Sequence, residues 1–429
     1  MKYMTVLQVG DVHYPDHIGQ DADLKDDTLP TTLVAETTAT QLQASTRALL
    51  QRMGEHPRAL LAFTGDLTSR GDIPYYQICV EYLDTAFQLG AKPPAELQAV
   101  PGNHDVNRGL ADAAPFGNIY QKFAPLTQAW ISRGLDVLAS AVVRKSSVTV
   151  DGCTLGSYGL NSCLGCGERR ALPPSLRDDL VAATSDAGAP MPAAAAAIDQ
   201  VLNTSAEVLD APAYSEEHID DIHRSIEESS GSTLAILISH HNLLQQAQPR
   251  FDPYTDLINA GMARSRLSSL KVPVLYLHGH IHSDPIECIT QLAPDSGQLV
   301  CISAPEFVSG FNQIDVVFLD DGTPVGCSVR RFRVRLHGGT VEEEPIRIRF
   351  PRTDTAISAA AARIAVVLVA SPNAGSLADV ERLLGNDDLL TRDEVAGALE
   401  ELEWMGIVSV LNRERPITQW RITVELRHD

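Results

Sequence analysis

No apolar run in this 429-residue chain approaches the ~20 residues that a membrane-spanning helix needs, so no membrane segment is expected. Basic residues are scarce: 34 Lys and Arg face 55 Asp and Glu, for a formal net charge of −21. A surface that acidic repels a phosphate backbone, which argues against nucleic acid as a partner. It does not argue against a small anionic substrate, because bound metal ions can dominate a local field. The seven cysteines are odd in number and irregularly spaced, so no disulfide framework is expected. Cys163-Leu164-Gly165-Cys166 is a lone CxxC; without a second pair it reads as a loop with two thiols ahead of a structural zinc or redox site. Met1-Lys2-Tyr3 runs straight into a strand pattern with no signal peptide, and a reducing cytoplasm is the expected location. The 44% hydrophobic content is ordinary for a folded protein, and the length allows two domains.

What the chain does have is one layout repeated five times, an apolar strand-like run ending in His, Asp or Asn. Met4–Val9 precedes Gly10-Asp11-Val12-His13, and Ala59–Thr64 precedes Gly65-Asp66. Glu96–Val100 precedes Pro101-Gly102-Asn103-His104-Asp105. Leu234–Ser239 precedes His240-His241, and Val272–Leu277 precedes His278-Gly279-His280-Ile281-His282. Taken alone, any of these is a turn, since Gly, Asn and Asp suit turns for backbone reasons. Five together indicate one site.

Between these runs the spacing predicts helices over about 37–53, stopped by Gly54, and 74–89, stopped by Gly90. Strands alternating with helices indicate a largely parallel sheet whose site lies at the carboxyl ends of the strands. Residues 14–30 read as an acidic rim loop in which His17 is solvated. Residues 142–150 and 154–159 pair around Asp151-Gly152. The Ala-, Asp-, Glu- and Ser-rich segment 171–230 reads as a helical insertion ending in a helix over about 215–229, either capping the site or peripheral to it. Strands near 286–291, 298–303, 313–319 and 326–335 finish the sheets, and this unit ends near Phe350.

Residues 355–429 form a second unit: helices over about 355–370, 376–385 and 391–405, the last capped by Thr391, then a hairpin of 407–411 and 420–424. This order resembles a winged-helix domain, whose third helix usually enters the major groove. Here that helix carries Asp393, Glu394, Glu400, Glu401 and Glu403. Over 354–429, seven arginines face thirteen acids, a net of −6, the wrong sign for DNA. A protein partner or self-association through 355–429 is expected.

Asp11-x-His13, Gly65-Asp66, Gly102-Asn103-His104-Asp105, His240 and Gly279-His280-x-His282, in this order, resemble the calcineurin-like metallophosphoesterase superfamily over roughly residues 4–320. The resemblance implies an α/β (α+β) fold, a four-layer β sandwich flanked by helices, in place of a single parallel sheet. It implies two metal ions, Mn, Fe or Zn: one held by Asp11, His13 and His282, the other by Asn103, His240 and His280, with Asp66 bridging. Imidazoles and carboxylates suit those metals. The resemblance further implies a metal-bridging hydroxide as nucleophile, His104 as general acid, and Asp105 orienting that imidazole. His241 either contacts substrate or supports a ligand, and His278 reads as support. Arg70 either holds a phosphate oxygen or forms a surface salt bridge.

Departures narrow the branch. Purple acid phosphatases carry Tyr three residues after the bridging Asp, where this chain has Ser69. Protein serine/threonine phosphatases have Asp before Arg-Gly and Glu after Asn-His, where Ser69 and Asp105 stand. The motifs are most similar to the cyclic-nucleotide phosphodiesterase-like branch, although His240-His241-Asn242 replaces its frequent His-His-Pro. The expected activity is metal-dependent hydrolysis of a small phosphoester (EC 3.1), a phosphodiester ahead of a monoester. The alternatives are a nuclease of the same superfamily and a regulatory or scaffold protein acting through the C-terminal unit.

Overall fold

Side chains of strand β1 (Lys2–Val9) alternate between two buried environments. Leu7 and Val9 join a cluster with helical residues, while Met4 and Val6 join another made of strands. A strand that is apolar on both faces must be covered twice, and that requirement sets the layering. The computed structural model describes residues 1–16, 31–113, 118–167, 211–228, 233–244, 256–283, 285–290, 297–335, 339–350, 357–371, 375–384, 390–412, 416 and 419–424. The expectations for His17 and the rest of the rim loop beyond residue 16, and for the insertion between 171 and 210, lie outside the described residues.

After β1 come α1 (Thr31–Glu55), β2 (Leu60–Phe63), α2 (Ile73–Phe87), β3 (Glu96–Ala99), α3 (Arg108–Ala113), α4 (Ala124–Ser132), β4 (Arg144–Val150) and β5 (Cys153–Gly159). Then follow α5 (Glu216–Glu228), β6 (Ala235–Ile238), α6 (Ala260–Ser268), β7 (Val274–His278), β8 (Ile286–Thr290), β9 (Gln298–Ser303), β10 (Gly310–Phe318), β11 (Pro324–Val334), β12 (Thr340–Glu342) and β13 (Ile346–Arg349). One sheet has the order β12-β11-β10-β1-β2-β3 with β13 also on β11; the other is β4-β5-β6-β7-β9-β8.

The plain reading of one parallel sheet is therefore corrected. The second sheet has a parallel centre, β5-β6-β7-β9, edged by antiparallel strands, whereas in the first the parallel run β1-β2-β3 forms one side, ending at the edge strand β3, and antiparallel strands form the other. Period-two patterns show which faces are apolar but not which sheet a strand joins. Met4, Val6, Leu60 and Ala62 of the first sheet pack against Ile236, Ile238, Leu275, Leu277 and Val300 of the second. Helices α1, α2 and α4 cover the outer face of the first sheet, with Leu49, Phe87 and Trp130 fully buried. Helices α5 and α6 cover the second through Ile219, Ile222, Ile226 and Leu267. The result is four layers, helix on sheet on sheet on helix.

The last elements are α7 (Ala359–Ala370), α8 (Leu377–Leu384), α9 (Arg392–Trp404), and the hairpin of β14 (Val408–Leu411) and β15 (Arg421–Val424). They share a core of Ile364, Leu368, Val380, Leu399, Leu402 and Val408. Thr391 caps α9 in a reciprocal box with Glu394, which satisfies two otherwise orphaned N–H groups. Trp404, at the end of α9, packs with Val317, Leu319 and Val325 of the first sheet. Glu400 accepts from the Tyr3 hydroxyl at 2.8 Å, and Glu403 pairs with Arg347 at 2.6 Å. Some of the acids of α9 are thus taken up by the chain's own groups.

Candidate metal centre

The five segments end where the two sheets meet. Main-chain bonds lock neighbouring tips: Asp11 N donates to Gly65 O at 3.1 Å, His13 N to Asp66 O at 3.0 Å, and Gly279 N to His240 O at 3.1 Å. The tips are also conformationally unusual. Among the described residues, eight non-glycine positions have positive φ, and five of them are Asp11 (50°), His13 (47°), Asp66 (48°), His280 (70°) and His282 (50°). Such backbone costs ~1–3 kcal/mol per residue and persists only where the surroundings fix it. Its concentration here marks a site built for something other than stability.

The donor atoms converge. Donor atoms of Asp11, His13 and His282 lie within 4.8 Å of one another, as do those of Asp11, Asp66 and His240, and of His13, Asp66 and His104. His282 Nε2 lies 3.4 Å from both Asp11 Oδ1 and His13 Nε2. Asp66 Oδ2 lies 3.3 Å from His240 Nε2 and 3.9 Å from His13 Nε2. His240 Nε2 is 3.0 Å from Asn103 Oδ1, and His240 also groups with His280. Asp66 therefore sits between the set Asp11, His13, His282 and the set Asn103, His240, His280. The structure brings together all seven residues expected to bind metal.

Supporting contacts orient these groups. His240 donates from Nδ1 to the Thr64 carbonyl at 2.9 Å, which leaves the Nε2 lone pair for a ligand. The Asp11 carboxylate accepts from His280 N at 3.0 and 3.1 Å, and Asp66 Oδ1 from His104 N at 2.9 Å. Two glycines permit the approach. A Cβ on Gly102 would stand 2.0 Å from Asp66 Oδ1, and one on Gly65, whose φ is 96°, would stand 2.5 Å from His240 Nδ1.

The electrostatics are those of a dense group of donors. Burial pushes the His240 imidazole down, yet the charge and hydrogen bond of Asp66 lift it to about 9. Burial likewise disfavours charged His282, and Asp11 lifts it to about 9. Burial lowers His13 to about 4 and, with the charge of His240, His280 to about 3. For Asp66, burial acts upward, but the charges of His240 and His104 hold it well below its usual range. His13 Nδ1 has no hydrogen-bond partner although it is buried. Two buried carboxylates, four imidazoles and an amide oxygen suit borderline cations such as Mn, Fe or Zn, so the residues fit the group expected of them.

One expected role is corrected. Asp105 does not orient His104: its buried carboxylate accepts from Gly102 N, Leu67 N, Thr68 N and the Thr68 hydroxyl at 2.8–3.1 Å. It ties the Gly65-Asp66 loop to the Asn103 loop, because the backbone donors of both point inward. His104 Nδ1 instead lies 3.3 Å from the Ser69 carbonyl. Asn103, His104, His280 and His282 are partly exposed, while Asp11, His13, Asp66 and His240 are buried, so a substrate reaches the cluster past the first four. His241 is fully buried, with Nδ1 2.8 Å from Ser162 Oγ. Arg70 lies 3.5 Å from Asp16 and over the Tyr75 ring, more than half exposed.

Gln8 was not singled out in the sequence. Its amide donates to the carbonyls of His278 and Ile302, and its oxygen accepts from Asn312. This side chain links β1 to β7 and β9 beneath the site. The available signal was a lone polar residue in the apolar run Val6-Leu7-Gln8-Val9, on the face turned to the second sheet.

Residues 4–157 match the family model of the calcineurin-like phosphoesterases. No curated protein matches the chain. Among solved structures, a dimetal phosphatase from Danio rerio is similar at 13% identity and TM-score 0.46, over 81% of this chain and 99% of that one. A 5'-nucleotidase precursor from Thermus thermophilus is similar at 14% identity and TM-score 0.41, over 81% of this chain and 55% of that one. A purple acid phosphatase from yellow lupin is similar at 11% identity and TM-score 0.43, over 81% of this chain and 54% of that one. The chain thus spans about half the length of the nucleotidase and of the lupin phosphatase.

Proposed function

We propose that this chain, a calcineurin-like phosphoesterase by its match over residues 4–157, is a metal-dependent phosphodiester hydrolase with two metal positions sharing Asp66. The observation that carries the reading is the placement of Asp66 between the Asp11, His13, His282 set and the Asn103, His240, His280 set. Two ions held there would supply Lewis-acid activation of the phosphoryl group and an activated water.

The remaining roles belong to the chain's own groups. His104, partly exposed at the mouth and held at Nδ1 by the Ser69 carbonyl, gives a proton to the leaving oxygen as its bond to phosphorus breaks. Buried Asp11 and Asp66 hold the ligand set rigid through their bonds to the His280 and His104 backbones. Arg70 is more than half exposed, loosely paired with Asp16 and placed over Tyr75. The preference for a diester rests on the Gly-Asp-Leu-Thr, Gly-Asn-His-Asp and Gly-His-Ile-His forms of the motifs.

Residues 1–350 are the catalytic unit in this proposal. Residues 355–429 form a winged-helix-like unit with its own core, open to a protein partner or a second copy, and the acidic face of α9 speaks against DNA. All seven cysteines are thiols, none of them in a disulfide, which suits a reducing compartment such as the cytoplasm. Hydrolysis of bis-p-nitrophenyl phosphate and p-nitrophenyl phosphate by the Mn-loaded protein tests the reading. Diester turnover abolished by Asp66→Ala and strongly reduced by His104→Ala is expected. Monoester preference would shift the assignment to phosphatase, and inactivity on both with metal bound would favour a scaffold.

A further inference from the structure

The loop after β5 carries Cys163-Leu164-Gly165-Cys166-Gly167, with both thiols buried. In sequence the pair lacks a third donor, because His241 lies 78 residues from Cys163. In the fold, β5 and β6 are parallel neighbours, so the loops that follow them meet. Cys163 Sγ lies 3.8 Å from His241 Nδ1, and donor atoms of Cys163, Cys166 and His241 all lie within 4.8 Å of one another. Tetrahedral zinc, with Zn–S ~2.3 Å and Zn–N ~2.0–2.1 Å, sets such sulfur and nitrogen atoms about 3.6 Å apart. We infer that Cys163, Cys166 and His241 form a separate zinc site, distinct from the carboxylate–histidine centre.

The surroundings support a bound cation. Cys166 N donates to Cys163 O at 3.1 Å, and Gly167 follows at φ 75°, where a Cβ would meet Val106. This closes a tight turn that brings two sulfurs to one imidazole. Lys122, buried within the fold, donates to the carbonyls of Leu164 and Cys166 at 2.6 and 2.8 Å. An ammonium at this turn favours thiolate over thiol. Burial acts the other way and pushes the Cys163 thiol well up, so its proton leaves only as the ion binds. Ser162 Oγ accepts from His241 N at 3.2 Å and lies 2.8 Å from His241 Nδ1, which holds the imidazole beside the two sulfurs. Soft thiolates select zinc over hard cations such as Mn or Mg, so the two kinds of site would sort their ions.

Binding balances in charge. Each thiol releases a proton to solvent as its sulfur bonds the ion, and two thiolates cancel a 2+ charge beside a neutral imidazole. With the ion on Nδ1, the ring proton of His241 resides on Nε2, which now lacks a hydrogen-bond partner and packs against His240 and His280. Cys163 Sγ also lies 3.4 Å from Pro101 O, at the head of the Asn103 loop. Zinc here would pin the loops after β5 and β6 next to the main centre, and the Cys163 thiol would give up its bond to the Pro101 carbonyl as it loses its proton.

Co²⁺ titration of the full-length reduced protein should give a thiolate-to-cobalt charge-transfer band whose final amplitude corresponds to one cobalt per chain, whatever further cobalt the carboxylate–histidine centre takes up. The band should vanish in Cys163→Ser and Cys166→Ser and survive in Asp66→Ala, which disables only the main centre. X-ray absorption of the Asp66→Ala protein carrying one zinc per chain should show two sulfur neighbours at ~2.3 Å, and this holds as a test even where a serine variant fails to fold. No sulfur neighbours, a band that survives both serine variants, or a Cys163–Cys166 disulfide in protein kept reduced would overturn the site.

Discussion

The carbonyl of Thr64, at the end of β2 in one sheet, accepts the Nδ1 proton of His240, from the end of β6 in the other, at 2.9 Å. This bond spans the seam between the sheets and fixes which imidazole nitrogen faces Asp66. Gly65 makes it possible by leaving room beside the ring. Gly65→Ala would place a methyl 2.5 Å from Nδ1 at a φ of 96° and push the imidazole away. Loss of such outer support typically costs ~10–100-fold in metal affinity. A drop of that order in Mn²⁺ affinity, with the circular dichroism spectrum retained, is expected; unchanged affinity would detach His240 from the centre.

His104 and Asp105 separate kinetically. A general acid contributes ~10²–10⁴-fold, so His104→Ala should lower kcat by that order on a diester with a poor leaving group and much less on one with a good leaving group. Metal content should stay unchanged. Asp105→Ala instead strips the acceptor from three buried N–H groups, of Gly102, Leu67 and Thr68, each costing ~1–3 kcal/mol when unsatisfied. A marked fall in Tm is expected, and a stable Asp105→Ala protein with a displaced kinetic pKa would restore the orienting role.

The candidate metal ligands were legible because their clustering is local: Asp11 and His13, or His280 and His282, are neighbours in sequence, each pair at the end of an apolar run. The strand order was not legible, since Met4 and Ile236 are equally apolar and nothing local tells which sheet each joins. The support of His104 was misassigned for a related reason. Asp105 is adjacent in the chain, but Ser69, 35 residues away, is adjacent in space. The convergence of His241 on Cys163 was invisible for the same reason.

The pH response should reverse sign with metal. In the metal-free protein His240 and His282 sit at about 9, raised from 6.5. Their contribution to stability is therefore complete below 6.5 and is lost as pH rises through about 9. Metal competes with those same protons, so its affinity climbs over that window. Thermal melts at pH 6.5 and pH 9 should show the chelator-treated protein losing stability with pH, while the increment from Mn²⁺ grows. An increment that shrinks with pH would mean that protons and metal do not share these imidazoles.

Trp404 joins α9 to the first sheet. It is 5% exposed, packs with Val317, Leu319 and Val325, and lies under the Arg347 guanidinium at 5.7 Å. Arg347 in turn pairs with Glu403 at 2.6 Å. Trp404→Ala removes the apolar contact, and a buried Trp or Phe replaced by Ala typically costs ~3–5 kcal/mol. Glu403→Gln removes the charge of a buried carboxylate whose partner Arg347 is more exposed, and keeps an oxygen for Val410 N, so a smaller loss is expected. Denaturant unfolding should therefore rank Trp404→Ala below Glu403→Gln, with the Trp404→Ala protein losing the cooperative coupling of α7, α8 and α9 to the first sheet. Equal destabilisation would mean that the ion pair, and not the indole, holds α9 against the sheet.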